Sequence, residues 1–503
     1  MKILAMRVLI LLGMFALVPG YPQQSSLSAA EVLLKQGRTE DALAMLLELH
    51  RSEPSNANLC QQIGIAYTQL QDMGKAEVFF AEAVRLNPRF LGARKNLATV
   101  LWFLDRKDES EREFQAVTKA LPEDPVPHLY LGLAAHGRGE YTAAKIQFEK
   151  AGELASKNPE VLPAVLESYL ATHDLSLPAE IEDWVIQAGD PDPALLTRLG
   201  ALFLEYGYAD RASAILEKLI AVHKESAEVW RMLAEAKDRL GKPEEAYGAY
   251  SRSIEADANA EDTYVALAEF ASAHGNNDYA LQVIDRGLEH RPQSAALIFE
   301  QGLLWALKGD RKQAESSFLE AGRFKPGWAL PLMALGVSQL ESGNAMQAAG
   351  VFQKARSVDP GDYRVHYLYA TALARDERNS AENRAEAVRA LHQAIQLNPK
   401  DARSFALLGQ LELDSGKPER AEAEWRAALK IDPENPTALY QLGLAYQRQG
   451  KATEAKRLLD KFRILKAKKH GADESLVQIL RVAPGNSALH RPTAASDSST
   501  RER

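Results

Sequence analysis

Few residues in this chain have types and spacings that do chemistry. The one cysteine, Cys60, cannot supply an internal disulfide, a CxxC redox pair, a four-ligand zinc site or a CxxCH haem attachment. It falls on an apolar helix face, which marks it as a buried structural thiol. Eleven histidines are scattered without an HExxH or other metal-ligating spacing. His128 and His366 occupy one position of a recurring segment that Cys60, Trp230, Tyr264 and Phe405 also fill, so they read as packed residues. Glycines never form GxGxxG or a phosphate loop, and acidic pairs such as Glu244-Glu245 lie on solvated faces. The sequence therefore predicts no catalytic residue, no metal and no cofactor, and directs attention to binding.

Charge narrows the partner. Hydrophobic residues make up 46% and charged residues 25%, the balance of a folded soluble protein, and the net charge is −8. That field, with no clustered basic face of any size, argues against nucleic acid. A short run, Lys461, Arg463, Lys466, Lys468 and Lys469, is basic and helical. It reads first as the solvated face of a terminal helix, favoured by the helix dipole, and second as a contact for anionic lipid.

At the N-terminus Lys2 and Arg7 precede an apolar run from Val8 to Val18, then Pro19, Gly20 and a polar stretch. This is the layout of a secretory signal peptide over residues 1–20, and it is shorter than the roughly 20 apolar residues of a membrane span. Export to a periplasmic or extracellular location is expected. An uncleaved N-terminal anchor, with the membrane proximity it brings, is the alternative.

The elements that position everything else are revealed by proline. Pro54, Pro88 and Pro122 are 34 residues apart, as are Pro292, Pro326 and Pro360, and Pro399 repeats at Pro433. A fixed period of this size means stacked supersecondary units. Small residues recur at one slot (Gly64, Gly132, Gly200, Gly302, Gly336, Gly409, Gly443, with Ala98, Ala234, Ala268 and Ala370) and at a second (Ala76, Ala144, Ala212, Ala246, Ala280, Ala314, Ala348). Four residues after the second come large ones: Phe80, Phe114, Phe148, Tyr250, Phe318, Phe352 and Trp425. Two helices approach closely only where side chains are small, and the large residue fills the space so opened. Gly37, Gly74, Gly139, Gly241, Gly309, Gly343, Gly416 and Gly450 are assigned to the turns, with Gly74 slightly out of step.

This pattern resembles the tetratricopeptide repeat family over roughly residues 23 to 469. Thirteen units start near residues 23, 57, 91, 125, 159, 193, 227, 261, 295, 329, 363, 402 and 436. The resemblance implies an all-α fold, a right-handed superhelical solenoid of tandem helix-turn-helix hairpins with a concave groove. The expected organisation is an N-terminal array over 23–192 with a degenerate fifth unit, a C-terminal array over 193–469 with a capping helix, and a tail over 470–503. That tail holds one short helix around Leu476, Ile479 and Leu480 before a disordered end. In the degenerate unit Pro178 takes an alanine slot, so a bent second helix is expected, with Trp184 and Ile186 packing in compensation. Five extra residues around Arg375 to Arg384 are expected to project from the surface.

The resemblance also implies which first-helix positions face the groove. In the third and fourth units these are Lys95, Asn96, Trp102, Phe103, Leu129, Tyr130 and His136; Trp102 and Phe103 read equally as cover for a neighbouring hairpin. An apolar stretch follows at Phe299, Leu303, Leu307, Met333, Val337 and Leu340. Last comes a segment of Arg364, Tyr367, Arg375, Arg403, Gln410, Tyr440, Gln441, Gln447 and Arg448, whose arginines and tyrosines favour an acidic or carboxylate-bearing polypeptide. Lys95 and Asn96 are only a fragment of the family's carboxylate clamp, and the family's asparagine ladder is absent because Asn96 stands alone. The expectation is a non-enzymatic exported scaffold that docks a protein or peptide in its groove during envelope assembly or secretion. The alternatives are a self-associating platform and a membrane-tethered accessory subunit of an enzyme or export complex.

Overall fold

The computed structural model describes residues 24–176, 181, 192–222, 226–376 and 380–468. Among the described residues there are 26 helices and no strand. Twelve helical hairpins are complete, from Gln24–Lys35 with Thr39–Ser52 to Pro436–Arg448 with Ala452–Lys468. First helices typically have 13 residues and second helices 14. Two compact units divide the chain, one of residues up to 224 with 235–241, the other of 225–234 with the rest from 242. Inside each, consecutive hairpins stack, as Ala57–Gln69 with Met73–Leu86 on Leu91–Phe103 and Ala295–Leu307 with Arg311–Phe324 on Ala329–Glu341.

Local chemistry sets the phase. Asn56, Asp124, Asp192, Ser294, Asp362 and Asn435 cap first helices by accepting backbone N–H bonds through their side chains. Asp72, Asn276 and Asp310 do the same for second helices. The second helices stop two residues before proline, as at Leu86 before Pro88, Phe324 before Pro326 and Ile431 before Pro433. The residue directly preceding a proline is pushed out of the helical region, and here Asn87 and Asp432 are extended.

Packing within a hairpin rests on one contact repeated at a spacing of 16 residues. A Cβ added at Gly64 would lie 2.6 Å from the Phe80 ring, and at Gly132 2.6 Å from Phe148. Gly302 meets Phe318, Gly336 meets Phe352 and Gly409 meets Trp425, each at 2.5 Å. Gly200 and Gly443 meet Leu216 and Leu459 in the same way. Phe80, Phe352 and Trp425 are fully or almost fully buried, and the Trp425 indole N–H donates to the carbonyl of Ala406.

In twelve of the thirteen units the turn between helices has one described left-handed residue, the fifteenth of the unit. Glycine holds it with positive φ at nine positions, including Gly207 and Gly275, which the sequence pattern did not single out; a tenth positive-φ glycine, Gly152, lies elsewhere. Gly74 is not among them: it lies inside Met73–Leu86, and Gln71 (φ 63°) carries the left-handed conformation in its place. Asp105 (φ 62°) and His173 (φ 55°) do so in two other units.

Two further expectations change. Two of the residues expected to project after Arg375 are engaged instead: Asp376 is buried and accepts from the Asn383 amide at 2.8 Å, while Ser380 caps a second helix lengthened to 17 residues, Ala381–Leu397; residues 377–379 lie outside the described residues. Ahead of the degenerate unit, helix Tyr141–Ala151 breaks at Gly152 into a four-residue helix, Glu153–Ser156, so the next helix begins only at Leu162. The signal segment, Pro178, Trp184, Ile186, Leu476, Ile479 and Leu480 lie outside the described residues.

The turn and the crossing each yield a stability outcome. A non-glycine residue in the left-handed region costs about 1–2 kcal/mol, against about 0.5–1 kcal/mol for glycine's extra chain entropy, so Gln71→Gly should stabilise its hairpin by about 0.5–1 kcal/mol. Asp105→Gly should gain less, because Asp tolerates that conformation; hydrogen exchange of the two hairpins measures both. Gly336→Ala should cost about 1 kcal/mol and Gly336→Leu about 3 kcal/mol, with Phe352→Ala recovering part of the Leu penalty, as denaturant midpoints of the single and double variants will report.

Candidate partner-binding site

The residues with chemical potential are structural. Cys60 is fully buried, and burial pushes its thiol pKa up. Its place in the unit is a slot whose polar tips satisfy the carbonyl of the residue six positions earlier. His128 Nε2 lies 2.7 Å from the Pro122 carbonyl, His366 Nε2 2.9 Å from that of Pro360, and the Tyr264 hydroxyl donates to Ala258 at 3.1 Å. Burial holds the His366 pKa below its ordinary value. Among the described residues no group of three or more His, Cys, Asp or Glu could hold a metal ion.

In the N-terminal unit, helices Leu91–Phe103 and Pro125–Gly137 carry the first set of groove positions. Lys95 is engaged by Asp124 at 2.8 Å, with both side chains mostly covered. Asn96 is buried, and Tyr130 is only 2% exposed, stacked on Phe114 at 4.8 Å and met edge-on by Trp102 at 5.4 Å. Trp102 and Phe103 are half-buried, and Lys107 covers the Trp102 ring. So the aromatic cluster stitches one hairpin to the next, and Trp102 and Phe103 keep only part of their surface for a partner. Beyond it, His136 and Tyr141 converge on the two oxygens of Glu167, at 3.0 and 3.1 Å.

In the C-terminal unit the predicted positions separate sharply. Phe299 and Met333 belong to the core, as do Leu303, Val337 and Leu340; only Leu307 of that apolar stretch is exposed. The stretch is apolar because neighbouring first helices bury it against each other, so a partner does not reach Met333. Arg364 is also withdrawn: it is 3% exposed and grips Asp362 through Nε and a 2.6 Å terminal nitrogen contact. Arg403 repeats the arrangement with Asp401 at 2.8 Å but stays partly open, its guanidinium 5.2 Å from the centre of the half-buried Tyr367 ring. The neutralising acids were readable as an Asp-x-Arg spacing across a helix start, which the sequence reading did not use.

The accessible remainder gathers on the last three first helices, Tyr363–Ala374, Ala402–Asp414 and Pro436–Arg448. Arg375 and Arg448 are exposed, Gln441 is half-buried, and Gln447 is exposed beside Arg448. Tyr440 is 41% exposed, its ring held 5.1 Å from Phe462 of the following helix. A tyrosine fixed on one side and open on the other offers contact area at little entropic cost. Phe462, its support, lies in the capping helix.

Models of the TPR repeat match residues 409–450, and models of the tetratricopeptide repeat match residues 57–90, 95–159 and 333–382. Cellulose synthase operon protein C of Pseudomonas fluorescens (strain SBW25) is 24% identical over 466 residues, covering 85% of this chain and 35% of that protein. BBSome complex member BBS4 of Mus musculus is 27% identical over 150 residues, covering 30% of this chain and 28% of its own. The chain thus spans about a third of the length of the curated relatives it matches. The yeast Tom70 structure aligns over 87% of this chain and 98% of its own, with a TM-score of 0.45 and 14% identity. The repeated hairpins, their glycine–aromatic crossings and the family matches agree: the chain belongs to the tetratricopeptide repeat family and is a helical scaffold of the protein-binding kind.

Proposed function

We propose that this chain is an exported, non-enzymatic scaffold that holds an acidic or carboxylate-bearing polypeptide along the first-helix face of residues 363–448. The observation that carries this reading is the row of Arg375, Arg403, Tyr440, Gln441, Gln447 and Arg448, which keeps accessible surface along three successive first helices, while most positions of the other groove segments are buried or ion-paired. Tyrosine and arginine dominate binding hot spots because they combine area with directed hydrogen bonds, and amides read an extended backbone. Recognition needs no bond made or broken. Export rests on the basic and apolar layout of residues 1–20 and places the partner in the cell envelope or outside the cell.

A second reading, an accessory subunit of an enzyme or export complex, is favoured by the alignment with cellulose synthase operon protein C over 85% of this chain. It uses the same face and differs in what the bound polypeptide belongs to.

The test is site-specific photo-crosslinking in the native cells, with the reactive residue at Tyr440 and, as control, at the exposed Val78 of a distant second helix. A partner captured at 440 and not at 78, with recovery cut at least tenfold by Arg375→Ala with Arg448→Ala, is the expected result; each hot-spot side chain is worth about 1–2 kcal/mol. Crosslinks solely between copies of this chain would make it a self-associating platform instead.

A further inference from the structure

We propose that the outer face of the last described helix, Ala452–Lys468, is a docking surface for an anionic lipid bilayer. The helix carries six basic residues, Lys456, Arg457, Lys461, Arg463, Lys466 and Lys468, against two acids, Glu454 and Asp460. That is a surplus of four positive charges within a chain whose total is −8. No other described second helix has a surplus above two, the maximum belonging to Ala345–Val358.

The difference from its counterparts is the missing acids. Elsewhere an exposed arginine is answered one turn away, as in Glu82 with Arg85, Arg252 with Glu255 and Glu386 with Arg389. Here only Asp460 answers, pairing with Arg463 at 2.9 Å. Lys456, Arg457 and Lys466 are exposed, and no ion pair involving them occurs among the described residues.

Helical spacing gathers three of these cations, Lys456, Arg457 and Arg463, on one face. Ala455, Leu458, Leu459 and Phe462 pack inward on Pro436–Arg448, Leu459 lying against Gly443 and Phe462 against Tyr440. Lys456, Arg457, Asp460, Arg463 and Ile464 lie on the opposite side at intervals of three and four residues. Ile464 is 57% exposed in the middle of these cations. A solvated charged face has no use for a bare isoleucine there. A bilayer surface uses both features at once, headgroup charge for the cations and the acyl boundary for the side chain. A soluble acidic polypeptide would use the charge alone. This surface shares no residue with the groove reading, so either can fail without the other.

The experiment is co-sedimentation of the full chain with vesicles of phosphatidylcholine alone and of equimolar phosphatidylcholine and phosphatidylglycerol, at low and high salt. Binding to the anionic vesicles only, weakened by salt, is expected. Each surface cation contributes about fivefold, so Lys456→Glu with Arg457→Glu and Arg463→Glu should lower partitioning at least about a hundredfold, with unchanged helical circular dichroism. Ile464→Gln, which keeps the charge, should lower it severalfold. The proposal is overturned if the chain ignores anionic vesicles at low salt or if the triple variant binds them equally. Unchanged binding by Ile464→Gln, with full competition by soluble polyglutamate, also overturns it and assigns the face to an acidic polypeptide.

Discussion

Each hairpin of regular length depends on a contact between a residue with almost no side chain and a bulky one 16 positions later. Gly64 against Phe80 and Gly409 against Trp425 show why: the ring occupies the volume a Cβ would need. The constraint is mutual. Glycine in a helix costs about 1 kcal/mol relative to alanine, and burial of a large ring offsets that cost only if the opposite helix yields the space. Alanine also fills this slot, as at Ala98, which shares a core cluster with Phe114. Stacking of hairpins, and with it the exposure of any binding face, starts from this pair.

Much of the fold was legible because a 34-residue array writes each constraint many times. Helix starts at residues 57, 91, 125, 193, 227, 295, 329, 363, 402 and 436 coincide with the unit starts read from the sequence, glutamate starting the unit at 261 likewise. The turn was less legible. Glycine is a marker for the left-handed position, not its cause, so Gly74 misled where Gln71 accepts the strain instead. The buried Asp376 was missed because charge suggested solvent, while the Asn383 amide that satisfies it sits in the next helix.

The groove was the least legible part for a physical reason. Family register says which way a side chain starts, but how far it is covered depends on how closely the neighbouring first helices approach. Met333 and Tyr440 occupy the same offset, yet one is fully buried and the other 41% exposed. Charge carries the same ambiguity. Arg364 and Arg448 read alike in sequence, and only the local acid at Asp362 takes the first out of play. Burial and pairing therefore select Arg403, Tyr440, Gln441 and Arg448 from a longer list of candidates.

The lengthened hairpin carries a different implication. Between Ala370 and Leu391 the spacing is 21 residues instead of 16, yet both remain fully buried in one core cluster. Five residues were absorbed at the turn and the start of the second helix without disturbing the phase of the later units, since the hairpins at Ala402 and Pro436 resume the usual register. Hairpin turns of this kind act as expansion joints. Loops or whole modules can be grafted there by evolution or by design, and the scaffold's surface can diversify while its stacking stays fixed.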